Sequence, residues 1–170
     1  MKLEQNVTHR PSDRRTLPPG PPQRILVAEE DDETRELVVS AFLEDGWDVY
    51  GLDGEVALAE CLDIIRRHSL RSPDLIAVGV QMAWHSGIDL VEGIRSSGWT
   101  TPVVLMTWSI PQDVRAHVAR IGSTALVGKP FNAAELRSAA RRARTSHSGP
   151  GLARAPLPAQ PRPMARWNCP

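Results

Sequence analysis

No run of apolar residues in this chain approaches the roughly 18–20 that a membrane helix needs. The N-terminus also lacks an apolar signal core, because Leu3, Val7 and Leu17 stand isolated among polar residues and prolines. These absences predict a cytoplasmic protein with no membrane partner. Cysteine is scarce: Cys61 and Cys169 lie far apart, which gives little support to a disulfide or a metal site. Net charge is absent too, with 20 Lys and Arg against 20 Asp and Glu. A balanced chain has no global field to draw nucleic acid, and none is expected as a partner.

The balance conceals an asymmetry. Residues 24–144 hold 13 Lys and Arg against 18 Asp and Glu, while residues 145–170 hold 3 against none. Eleven of the 15 prolines fall outside that acidic body. Segments so rich in proline bury too little apolar surface to offset the entropy of ordering. The chain therefore divides into a disordered tail over 1–23, a domain over 24–145 and a second, basic disordered tail over 146–170.

Within the body, short β-branched runs alternate with amphipathic stretches. Strands are predicted at Arg24–Ala28, Trp47–Gly51, Asp74–Gly79, Pro102–Met106 and Ala125–Gly128. Helical stripes follow each: Leu37, Val38, Ala41 and Phe42; Leu58, Cys61, Leu62 and Ile65; Ile88, Val91 and Ile94; Val114, Val118 and Ile121; Leu136, Ala140 and Ala143. Ser86-x-x-Asp89, Ser109-x-x-Gln112 and Asn132-x-x-Glu135 read as helix-starting boxes, and Gly46, Gly98 and Gly122 as helix stops. Five β-α units with short connections make an α/β fold, a parallel sheet with helices on both faces.

Ligands of such sheets bind beyond the carboxyl ends of the strands. Glu29 and Glu30 follow the first strand, Gly79 ends the third, Thr107 and Trp108 the fourth, and Lys129-Pro130 the fifth. Carboxylates, a hydroxyl and an ammonium on one edge suggest metal and phosphate chemistry.

On these residues the body resembles the receiver domain of two-component response regulators. Ile25–Glu30 is similar to that family's first strand and acidic pair, Leu52–Leu58 to its second-helix entry, Pro102–Thr107 to its fourth strand with the switch hydroxyl, and Lys129-Pro130-Phe131 to its lysine signature. The resemblance implies a flavodoxin-like three-layer sandwich with a five-stranded sheet in the order 2-1-3-4-5, and a cis Lys-Pro bond. It also implies an aspartate at the end of the third strand that accepts a phosphoryl group from a histidine kinase. Mg²⁺ and the lysine would neutralise the developing charge.

Here Gly79 falls at the phosphoacceptor position, so the nucleophile and one metal ligand are lost together. The expectation is a degenerate, non-enzymatic receiver with Mg²⁺ binding weak or absent, in which Lys129 pairs with Glu29 or Glu30. Trp84 and Trp108 stand near the pocket mouth, either as partner contacts or folded over the space at Gly79; His85 beside them reads as a solvated loop side chain. Leu126 replaces the family's switch aromatic. The protein is read as a single-domain adaptor or decoy that binds another signalling protein, whether a histidine kinase, a response regulator or an output protein. The family analogy puts the contact on the fourth strand and last two helices, where Arg137, Arg141, Arg142 and Arg144 would suit an acidic partner. Two alternatives remain: phosphorylation on Glu29 or Glu30, and binding of a small anionic ligand at the sheet edge.

Overall fold

Four of the five strands are almost wholly apolar, and their alternate side chains feed two separate cores. The computed structural model describes residues 21–80, 84–110 and 112–146. The elements run β1 (Arg24–Ala28), α1 (Asp32–Glu44), β2 (Asp48–Leu52), α2 (Gly54–Arg67), β3 (Leu75–Val80), α3 (Trp84–Ser96), β4 (Val103–Thr107), α4 (Gln112–Ile121), β5 (Thr124–Gly128) and α5 (Ala133–Thr145). All pairings are parallel and the order is β2-β1-β3-β4-β5. This is the flavodoxin-like arrangement that the sequence predicts. The predicted tails over 1–20 and 147–170 lie outside the described residues.

Strand alternation sorts the core. Ile25 and Val27 of β1, Ala77 of β3, Met106 of β4 and Val127 of β5 pack with Val38 and Phe42 of α1 and Leu136 and Ala140 of α5. Leu26, Ile76, Val78 and Leu105 point the other way, against Leu58 and Leu62 of α2, Val91 of α3 and Val118 of α4. Being central, β3 has all six residues buried.

The differences from the sequence reading are local. Strands β2, β3 and β4 run one residue later than expected, and β5 begins one earlier, because paired partners rather than propensity set the ends. Leu37 is 40% exposed and leaves the α1 stripe to Val38, Ala41 and Phe42. Ser86 lies inside α3, and α4 begins only at Gln112, so neither Ser86 nor Ser109 takes the helix-starting position assigned to it. Asn132 does form the capping box with Glu135. Gly46, Gly98 and Gly122 follow their helices with φ of 77°, 86° and 74°, the left-handed region that favours glycine.

Candidate functional site

The carboxyl edge of the sheet gathers Glu29, Gly79, Thr107 and Lys129, each within one residue of the end of its strand. Glu29 is fixed at the mouth of β1, its backbone N–H donating to the Leu52 carbonyl at 3.1 Å. Arg35 of α1 also donates to the Glu29 carbonyl. The residue is 1% exposed. Lys129 is held by its N–H to the Thr107 carbonyl, 2.6 Å, and is followed by the expected cis bond to Pro130.

The two side chains meet. Lys129 Nζ lies 2.6 Å from Glu29 Oε2, with the side chains 3% and 0% exposed. The contact is ionic, and no described group donates a well-directed hydrogen bond to Oε2. Oε1 accepts from the Asp31 N–H at 3.2 Å. Of the two glutamates expected as the lysine's partner, Glu29 takes the role.

Gly79 explains how a side chain as long as glutamate fits. A Cβ built on Gly79 would lie 2.5 Å from Glu29 Cδ and closer still to Oε2, separations that real Cβ atoms essentially never show. The carboxylate therefore occupies the room that a side chain at position 79 would need.

Glu30 is exposed and turns to the opposite face, its Cγ 2.9 Å from where a Cβ on Gly54 would sit. Gly54 has φ +79° and bears no Cβ, so the close approach is tolerated. Nearby, burial holds the Glu55 carboxyl above its ordinary pKa, and the Glu30 charge adds to the effect. Asp31 caps α1 by accepting from the Thr34 N–H at 2.8 Å, a cap the sequence reading missed although Asp31-x-x-Thr34 precedes a helical stripe. Arg35 pairs with Asp32 and lies 3.9 Å from Asp53.

Thr107 is buried, and its hydroxyl donates to the Ser109 carbonyl at 3.2 Å instead of to the ion pair. Trp108 is 64% exposed, with its ring centroid 5.7 Å from Lys129 Nζ. So exposed a ring is not folded away over the space at Gly79. Trp84 and His85 begin α3, but their side chains lie outside the described residues. Leu126 is half-buried.

The family resemblance implies Mg²⁺, and these residues do not fit it. Glu29 is committed to Lys129, Asp31 to the helix cap, Glu30 faces away and Gly79 offers no ligand. Among the described residues, no three Asp, Glu, His or Cys side chains are arranged to hold a metal ion.

Part of the basic row on α5 also makes contacts within the domain. Arg137 bonds Asp45, Glu44 and the Ala41 carbonyl; Arg142 donates to the Leu126 carbonyl; Arg144 reaches Gln23 and lies over the Trp47 ring. These contacts tie α5 to the body, while Arg141, Arg142 and Arg144 stay exposed.

Residues 25–141 match the family model described as "Response regulator receiver domain". The chain is 30% identical over 121 residues to the regulatory protein AtoC of Escherichia coli, an alignment covering 71% of this chain and 25% of that protein. It is 29% identical over 119 residues to the transcriptional regulatory protein PdtaR of Mycobacterium tuberculosis, covering 68% of this chain and 53% of that one. It thus spans between a quarter and about half the length of these curated relatives. Among solved structures, the chemotaxis protein CheY4 of Vibrio cholerae superposes with a TM-score of 0.59 at 20% identity, over 72% of this chain and 99% of that one. A response regulator from Thermotoga maritima gives 0.58 at 22%, over 75% and 99%. At these identities the structural likeness speaks to the fold. No helix among the described residues is long and apolar enough to cross a membrane.

Proposed function

Because the chain belongs to the response regulator receiver family of two-component signalling, its site is judged against that family's chemistry, and we propose that it signals by binding another protein without being phosphorylated. Phosphoryl transfer to a receiver needs a carboxylate nucleophile at the end of β3, a free ammonium and a divalent ion. In this reading Gly79 stands at the acceptor position and supplies no nucleophile. The observation that carries the proposal is the buried contact between Glu29 Oε2 and Lys129 Nζ at 2.6 Å. It consumes the cation and one of the acids in a pair that sums to zero charge, so little remains to attract Mg²⁺ or phosphate.

The same contact argues against the two alternatives. A Glu29 buried against Lys129 is closed to a phosphoryl donor, and Glu30 turns away from Lys129 toward Gly54. A small anion would have to displace Glu29 from its ammonium. The partner is then a histidine kinase, another response regulator or an output protein, and Trp108 at the mouth suits such a contact because exposed tryptophans are enriched at binding hot spots.

Intact-mass measurement after incubation with acetyl phosphate and Mg²⁺ tests the proposal. The expected spectrum is unchanged. A stoichiometric added phosphoryl group overturns it.

A further inference from the structure

A missing acceptor alone would leave an open pocket over a free lysine, and that is not what stands here. The carboxylate of Glu29 lies in the space adjoining Gly79, and a Cβ at that position would meet its Cδ at 2.5 Å. We infer that Gly79 and Glu29 are a matched pair: the glycine's missing side chain is the seat of the glutamate carboxylate, which gives Lys129 a permanent internal anion and holds the receiver site shut against external ones.

Glutamate is flexible, so a larger residue at 79 would not be excluded by sterics alone; the carboxylate would swing aside. What holds it is its surroundings. Its side chain is fully buried, Oε2 meets the ammonium and Oε1 accepts the Asp31 N–H at 3.2 Å. Moving it aside strands a Lys129 side chain that is itself 3% exposed. A buried charge left without its partner is strongly destabilising. The ion pair therefore turns a soft steric contact into a firm exclusion, and the exclusion runs both ways. A side chain at 79 must push the carboxylate from its present seat, and the pair in its present geometry leaves no room for one.

This inference rests on the phosphorylation-independent reading but makes a separate claim, that restoring an acid at 79 is not sufficient to restore a receiver site. Under acetyl phosphate and Mg²⁺, Gly79→Asp stays unlabelled, because the new aspartate and Glu29 compete for one volume. Labelling of Gly79→Asp while the wild type remains unlabelled overturns the inference and spares the reading. Labelling of the wild type overturns the reading itself.

Denaturant unfolding of the full chain supplies the second test. Gly79→Ala is compared in the wild type and in a Glu29→Ala/Lys129→Met background, where neither charge remains. In the wild type the alanine should lower the folding equilibrium constant on the order of a hundredfold or more, or abolish folding altogether. In the uncharged background the same alanine should cost less than about tenfold, since the seat is empty. Equal costs in the two backgrounds overturn the matched pair, as does failure of the triple variant to fold where its uncharged parent folds.

Discussion

Lys129 and Glu29 follow strands three places apart in the sheet, yet their charged atoms lie 2.6 Å apart with almost no exposure to solvent. Taking two ions out of water is expensive, and the attraction offsets that cost only while both are present. Removal of one partner should therefore hurt far more than removal of both. Glu29→Gln and Lys129→Met are each expected to lower stability by about 3–5 kcal/mol. The Glu29→Gln/Lys129→Met double variant should lose much less than the sum. Being buried, the pair is poorly screened, so raising salt above the physiological range of about 0.15 M should leave its coupling energy unchanged in a double-mutant cycle.

Trp108 should behave in the opposite way. It is 64% exposed, and its ring lies 5.7 Å from Lys129 Nζ. An ammonium already neutralised by Glu29 gains little from the ring, so Trp108→Ala should cost no more than about 1 kcal/mol in thermal unfolding. If the mouth is the partner surface, the same variant should lose partner capture in a pull-down from native lysate by tenfold or more. A large loss of stability with unchanged capture would instead make Trp108 a packing residue.

How much of this was legible in the sequence depends on which face each residue addresses. The βα alternation and the resemblance located β1, β3 and β5 well enough to put Glu29, Gly79 and Lys129 on one edge. They left open whether Glu29 or Glu30 meets the lysine, although a signal was there. Ile25 and Val27, Ala77, and Ala125 and Val127 all face the α1/α5 core. Counting on by two gives Glu29, Gly79 and Lys129, all of the same parity, whereas Glu30 falls on the α2 side. The depth of Glu29 beneath Gly79 had no such signal, because it depends on rotamer and packing. The internal contacts of the α5 arginines were hidden for a related reason. A helix pattern shows that a residue lies off the core stripe, but not that Asp45, Gln23 and the Leu126 carbonyl wait beside it.

Arg95 is a contribution that no sequence pattern marked. From α3 it donates to the carbonyls of Trp99, Thr101 and Ser123 at 2.9–3.1 Å and more loosely to Gly122 and Thr124, with no carboxylate in the set. Desolvation pulls its pKa below the ordinary arginine value. The guanidinium thus ties the end of α3 to the entries of β4 and β5, sharing the Ser123 carbonyl with the Val103 N–H and the Gly122 carbonyl with the Thr124 hydroxyl. Arg95→Met should lower stability by about 2–4 kcal/mol in denaturant unfolding, several times the effect of Arg141→Met on the exposed face of α5. Arg95→Lys should recover only part of the loss, since an ammonium cannot span the same fork of acceptors.

Acid sensitivity should begin at the cap of α1. Hydrogen bonding from Thr34, from its side chain first and then from its backbone N–H, holds the Asp31 carboxyl below its ordinary pKa, and Lys129 and Arg35 add smaller favourable charges. A carboxyl whose folded pKa lies below its unfolded value stabilises the fold fully above the unfolded value, near 3.9, and loses that contribution as pH falls through the folded one. Stability should accordingly be flat in this respect above about pH 5 and decline below about pH 4. Asp31→Asn keeps an oxygen to accept from Thr34 but cannot titrate, so its unfolding free energy should fall less steeply with acid than that of the wild type. Parallel slopes for the two proteins between pH values of about 5 and 3 would assign the acid response to other carboxylates and remove Asp31 from it.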